Sequence, residues 1–305
     1  MKRIQLGNSE LSVPIISLGC MVMQQSTKEQ ANKVIHNALE HDVNFFDHAD
    51  IYGKGKSESI FAEAIDMNPS IRERLIIQSK AGIRNGFYDS SKEHLISSVE
   101  DSLKRLKTDY LDVFLIHRPD ALMEPEEVAE AFSELEKSGK VRHFGVSNFR
   151  PRQVELLKKY VDQDLVANQL QLSVTNSGMI DQGLYANTSF DQATDLDGGV
   201  IDYSQVNNMT IQAWSPLRYG FFGGFIMDRD AYPELNQELD KLGEKYGVAR
   251  ETIAIAWILR HPANIQTIIG TMTPKRLTEM VKAADITLTR EEWYKLWQSA
   301  GNKLL

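Results

Sequence analysis

The sequence predicts an α/β protein built as a TIM-type (β/α)8 barrel, with an N-terminal β-hairpin and a short C-terminal helical tail. Short β-rich runs recur along the chain with helical patterns between them, an order that implies a parallel sheet. There are eight such runs, the number of strands that closes a barrel. No Pro- or Gly-rich linker divides the 305 residues, and one closed barrel commonly takes about 250 residues. We therefore expect a single domain over residues 1–305. A doubly wound open sheet is the rival, but it usually carries G-x-G-x-x-G after its first strand. Here that position reads Leu18-Gly19-Cys20-Met21-Val22-Met23.

The elements follow in order. The runs IQL and LSV around Asn8-Ser9 form a hairpin ahead of the barrel. Strands are expected at 16–18, 44–46, 75–78, 110–116, 141–146, 165–169, 209–214 and 265–269; most are too short for helices and are bounded by turn or polar residues. His36 and His41 fall on the first helix and its end. Ser90 and Glu93 form a capping-box signature, after which Leu95, Val99, Leu103 and Leu106 share one helical face. Val128, Phe132 and Leu135 do the same, and Gly139 is placed to end that helix. Pro151 and Pro274 each suit the first turn of a following helix. The stretch from Gln169 to Met209 exceeds an ordinary βα connection and is read as a helix region plus an irregular excursion.

Composition narrows the partners. With net charge -8 and pI near 5.5, neither nucleic acid nor an anionic membrane is the expected partner. Any anionic ligand must then be held by a local cluster of donors. One cysteine, Cys20, excludes an intramolecular disulfide framework and fits a reducing cytoplasm. No signal-peptide stretch is visible and no segment reaches the ~20 apolar residues of a spanning helix, so a soluble cytoplasmic protein is expected, a monomer or weak homo-oligomer.

Four polar residues, Asp47, Tyr52, Lys80 and His117, fall at or just beyond strand ends in FFDHADIYG, LIIQSKAG and VFLIHRPD. A barrel gathers its strand C-termini onto one face, where such folds carry their chemistry. A phenol is a poor proton donor near neutral pH, because its ordinary pKa is about 10. An ammonium beside it stabilises the phenolate, and a carboxylate can hold that ammonium through a charge-assisted hydrogen bond. Lys80 and Asp47 suit those parts, Tyr52 that of general acid, and His117 that of a group orienting a substrate oxygen. Singly, each has an ordinary structural explanation; four types from separate loops are the signal.

These segments, with GKVRHFGVSNF, NQLQLS, AWSPL and IIGTMTPKR, resemble the aldo-keto reductases along essentially the whole chain, most of all bacterial members carrying LIHRPD and GKVRHFGVSNF. The resemblance implies an enzyme that reduces aldehydes and ketones with a nicotinamide cofactor bound across the barrel mouth, acting on a small-molecule carbonyl substrate. Carried over by position, it puts Ser147, Asn148 and Gln169 on the nicotinamide carboxamide, Trp214 on the ring face, and Ser215 and Leu217 along the pyrophosphate. Gly270, Thr271, Thr273 and Arg276 then form the phosphate end, where Arg276 implies NADPH. Gly270 stands where many relatives have a lysine, which leaves NADH possible. His48 replaces a common Ser or Thr and bears on the pocket floor; Gln171 and Ser173 stand for Glu and His. The short tail after Glu292 implies an open site.

Two other functions stay open on the same scaffold. Some relatives associate with potassium channels and use the cofactor for sensing, and Lys80 could serve as a Schiff-base nucleophile. A metal site is not expected, since no H-E-x-x-H or Cys/His cluster exists.

Overall fold

The computed structural model of the chain describes residues 1–221 and 223–304. Strands β1 (Arg3–Gln5) and β2 (Ser12–Pro14) form the antiparallel hairpin. The barrel begins with β3 (Ile16–Gly19), followed by α1 (Lys28–Glu40), β4 (Phe45–Asp47), α2 (Lys56–Ala64), the short α3 (Pro69–Arg72) and β5 (Ile76–Ala81). It continues through α4 (Lys92–Leu106), β6 (Leu111–Ile116), α5 (Pro125–Lys137), β7 (Val141–Ser147), α6 (Pro151–Leu157) and β8 (Leu165–Gln171). Then come α7 (Gly178–Leu184), α8 (Val200–Val206), β9 (Thr210–Trp214), α9 (Pro233–Tyr246), α10 (Arg250–Leu259), β10 (Gln266–Ile269), α11 (Pro274–Met280) and α12 (Arg290–Ser299). The eight parallel strands close in the order β10-β3-β4-β5-β6-β7-β8-β9.

Each expected strand is present within a residue or two of its expected ends, except β5, which runs three residues further, to Ala81. Local signals fix the helices. Thr27 and Gln30 make a reciprocal capping box at α1, and Gly139 takes φ +71 just past α5, a left-handed turn that glycine enters at no steric cost. One expected cap moves by a residue: Ser91, not Ser90, accepts from His94 N at the start of α4. Ser90 instead donates its backbone N–H to Asp120 Oδ2 at 3.0 Å. The long stretch before β9 holds α7, a 3-10 turn at Asp191–Ala193, and α8.

The strand period of two sorts the side chains. Phe45, Ile76, Val113 and Leu115 point into the barrel and pack with Leu6 and Val13 of the hairpin, which plugs the N-terminal end. That plug needs Gly7, because a Cβ there would lie 2.4 Å from Val166 O. Outward-facing residues form the larger core against the helices. The C-terminal tail is bound into it: Trp293 of α12 stacks on Trp257 of α10 with centroids 4.8 Å apart, and each indole N–H donates to the other's backbone carbonyl. Among the described residues no helix is long and apolar enough to cross a membrane.

Candidate active site

Two residues further along each strand, the interior turns polar. Phe45 gives way to Asp47, Ile76 to Gln78 and then Lys80, and Leu115 to His117. The strand repeat therefore delivers these groups to the C-terminal mouth, which opens into a cavity of about 690 Å³. Asp47, Tyr52 and His117 line it, while Lys80 stands just behind the wall, fully buried. A second cavity of about 630 Å³, bordered by Arg229, Asp240 and Arg250, lies away from the strand ends.

Lys80 Nζ donates to Asp47 Oδ1 at 2.7 Å and to the carbonyl of His48 at 2.6 Å. It lies 5.0 Å from the Tyr52 ring centroid, and the Tyr52 and His117 rings meet edge to face at 6.0 Å. Burial works to discharge Lys80, but Asp47 and Tyr52 together hold its pKa above the ordinary lysine value; the ammonium is kept. For Tyr52, burial raises the pKa to about 12, although the Lys80 charge pulls it down. The expected easing of the phenol's proton is thus present as one force and outweighed by another. His117 goes well below the usual histidine range through burial and the nearby Lys80 and Arg118 charges. It is a neutral imidazole, and its buried Nδ1 has no partner among the described residues.

Supporting residues lie below and beside this set, and of them only Gln169 was expected at the site. Gln78 and Gln169 each donate to Asp47 Oδ1, at 2.6 and 3.0 Å, and both donate to Gln212 Oε1. Gln212 in turn donates to Gln266 Oε1 at 2.9 Å. This amide layer lies above the apolar plug and fixes the carboxylate. Ser79, on the opposite face of β5, donates to the fully buried Glu58, which also accepts from Arg105 at 2.6 Å. Asp50 is close by, its backbone N–H on Lys80 O; burial and the Glu58 charge raise its pKa to about 7. Glu58 lies between Ser57 and Ser59, two residues ahead of the apolar pair Ile60-Phe61, so nothing in its immediate neighbours marked it as buried.

The remaining expected residues gather around the same cavity. Ser147, Asn148, Gln169, Trp214, Ser215, Leu217, Gly270, Thr271 and Arg276 line it; Thr273 does not. Thr273 donates its backbone N–H to Thr271 Oγ1 at 3.2 Å and precedes α11. Ser147 ends β7, but Gln169 lies two residues inside β8 rather than at its end. Its Oε1 accepts no bond among the described residues. Trp214 Nε1 donates to Asn148 Oδ1 at 3.2 Å. Asn148 and Ser215 adopt φ +63 and +51, a costly conformation for serine that tends to cluster at functional sites. Arg276 is half exposed, 3.8 Å from Glu251.

The departures noted in the sequence resolve differently. His48 is not at the pocket floor: it packs on Phe61 with centroids 4.7 Å apart, and burial lowers its pKa to about 3. Gln171 donates to Gly220 O and Ser173 to Arg218 O, so both pin the loop after β9. Cys20 is fully buried, and burial raises its thiol pKa far above the ordinary value. Met21, Ile51, Tyr88, Phe221 and Phe225 are exposed on the cavity rim.

Comparison with known proteins agrees with the fold and gives the family. The model of the Aldo/keto reductase family matches residues 15–300. A 6-dehydroglucose reductase of Novosphingobium aromaticivorans is 34% identical over 310 residues, covering 99% of this chain and 96% of its own. Among solved structures, the thermostable aldo-keto reductase Tm1743, determined with the inhibitor epalrestat, matches with a TM-score of 0.79 at 27% identity, over 98% of this chain and all of its own. An aldo-keto reductase from Klebsiella pneumoniae, determined with NADPH, matches with a TM-score of 0.77 at 24% identity, over 97% and 94%.

Proposed function

The chain belongs to the aldo/keto reductase family, and from that premise we propose that it is an NADPH-dependent enzyme reducing aldehyde and ketone carbonyls to alcohols, with Tyr52 as general acid. The observation that carries this reading is the convergence of Asp47, Tyr52 and His117, with Lys80 behind them, on a cavity that also reaches Arg276. The 6-dehydroglucose reductase name supports reduction, and the Klebsiella enzyme's NADPH supports the cofactor. We read the protein as one domain working in a reducing cytoplasm, which its single buried cysteine suits.

The donor set fits such a cofactor. Hydroxyl and amide groups of Ser147, Asn148 and Gln169 line the same cavity as the Arg276 guanidinium and Thr271, the former following β7 and within β8, the latter following β10. Gly270 offers open space where a side chain would go, so nothing there competes for a phosphate. When bound, the cofactor supplies the hydride. The protein's part is to hold a carbonyl oxygen between Tyr52 and the neutral His117, and to give that oxygen the Tyr52 proton as its charge develops. Lys80 then faces a phenolate, and Asp47 keeps it there. The test is a spectrophotometric assay of NADPH and NADH oxidation over aldehydes, diketones and quinones. Oxidation of neither cofactor with any carbonyl would end the proposal.

Arg276 sets the expected cofactor choice. NADPH and NADH differ at one phosphate, so Arg276→Ala should weaken NADPH alone. A charge-assisted bond contributes about 1.5–3 kcal/mol. Half exposure and the Glu251 carboxylate favour the lower figure, a loss of roughly 10-fold. Calorimetric titration with both cofactors checks this; equal losses would mean the phosphate is held elsewhere.

A further inference from the structure

Arg118 follows His117 directly, so their α-carbons are about 3.8 Å apart, and both side chains line the cavity. The guanidinium is half-buried and has no carboxylate partner among the described residues. Asp120, two residues on, is already engaged by the backbone N–H groups of Ser90 and Leu122, at 3.0 and 2.8 Å. Other sheltered arginines are satisfied: Arg72 by Asp112, Arg105 by Glu58, Arg260 by the carbonyl of Leu288. Among the described residues Arg118 has only the face of Phe221, with Cζ 5.4 Å from the ring centroid. Burial lowers its pKa, with Tyr88 the opposing influence. A cation withdrawn from water without a counter-charge is costly. At the wall of an open cavity it is a receptor for an anion.

The anion is not the cofactor's phosphate. That end of the cavity follows β10, and β6, which Arg118 follows by two residues, stands four strands from β10 in either direction around the ring. Arg118 is on the His117 side, where the carbonyl is to react. We propose that the carbonyl substrates of this enzyme bear a carboxylate a few atoms from the reacting carbon, and that Arg118 holds it. The planar fork of the guanidinium matches a carboxylate through two parallel hydrogen bonds. The rim of Met21, Ile51 and Phe221 suits a short hydrocarbon spacer. A protein of net charge -8 also needs a local cation to admit such a substrate. The inference rests on the reductase reading for the reacting group, but the carboxylate site is testable apart from turnover.

The experiment compares 4-oxobutanoate, its methyl ester and a phosphorylated short aldehyde as substrates, and measures succinate binding by calorimetry. Wild type should prefer the acid over the ester by roughly 10- to 150-fold in kcat/KM, as a charge-assisted pair implies. Arg118→Met should bring that ratio near one and weaken succinate to the same degree, and Arg118→Lys should recover part of both. An equal ratio in wild type and Arg118→Met, or succinate binding both alike, overturns the proposal. Preference for the phosphorylated aldehyde over the acid overturns the carboxylate assignment. Arg118-dependent succinate binding without turnover of any aldehyde would uphold the site and reject the reductase reading.

Discussion

Tyr52→Phe is expected to leave the barrel folded and the cofactor bound, and to lower carbonyl reduction by roughly 10²- to 10⁴-fold, the usual value of general acid catalysis. The substitution removes one hydroxyl from a half-buried ring and keeps the edge-to-face contact with His117. Burial holds the Tyr52 proton up to a pKa of about 12, so the acid is fully protonated at neutral pH. An alkoxide forming on the substrate is more basic than a phenolate, and transfer is therefore downhill once hydride arrives. The sign of the pH dependence follows. Reduction needs the protonated form and is lost only as pH rises through the Tyr52 value. Oxidation of the alcohol needs the phenolate and should rise about tenfold per pH unit between about 7 and 10. Neutral His117 contributes no inflection there; one near 7 would belong to Asp50 and should vanish in Asp50→Asn. Near wild-type turnover of Tyr52→Phe, with a cofactor deuterium isotope effect proving that chemistry limits the rate, would remove Tyr52 from its role.

Lys80→Met should damage both stability and rate. The pair it breaks is buried on both sides, with side-chain exposures of 0% and 4%. Removing one partner of such a pair costs about 3–5 kcal/mol, because the other charge stays buried. Gln78 and Gln169 continue to donate to Asp47, which argues for the lower end. Adding Asp47→Asn removes the stranded charge, and the double variant should regain most of the loss in urea denaturation. Activity should not return with it, since no cation would face the Tyr52 phenolate. A double variant as active as wild type would make the pair a packing feature alone.

The resemblance in FFDHADIYG, LIHRPD and GKVRHFGVSNF located the family, and the strand–helix alternation located the barrel independently of it. Both rest on local information: a strand end, a capping Thr27 or a Pro151 is written in a few adjacent residues. The error of one residue in the cap of α4, from Ser90 to Ser91, had a non-local cause. Glu93 stands three residues after Ser90, whereas His94 stands three after Ser91, and hydrogen bonding of Ser90 to Asp120 from a loop 30 residues away decided for Ser91.

By itself, then, the sequence determined the element order, the eight strands and the residue types that reach the mouth of the barrel, because strand period and helix capping are short-range properties of the chain. Only the tertiary structure decided what surrounds those residues. The glutamine layer under Asp47 joins β5, β8, β9 and β10, the Glu58–Arg105 pair bridges α2 and α4, and among the described residues Arg118 is left without an acid. Hydrogen bonds and ion pairs act over about 3–4 Å, and which groups come that close is fixed by barrel closure, not by their separation along the chain.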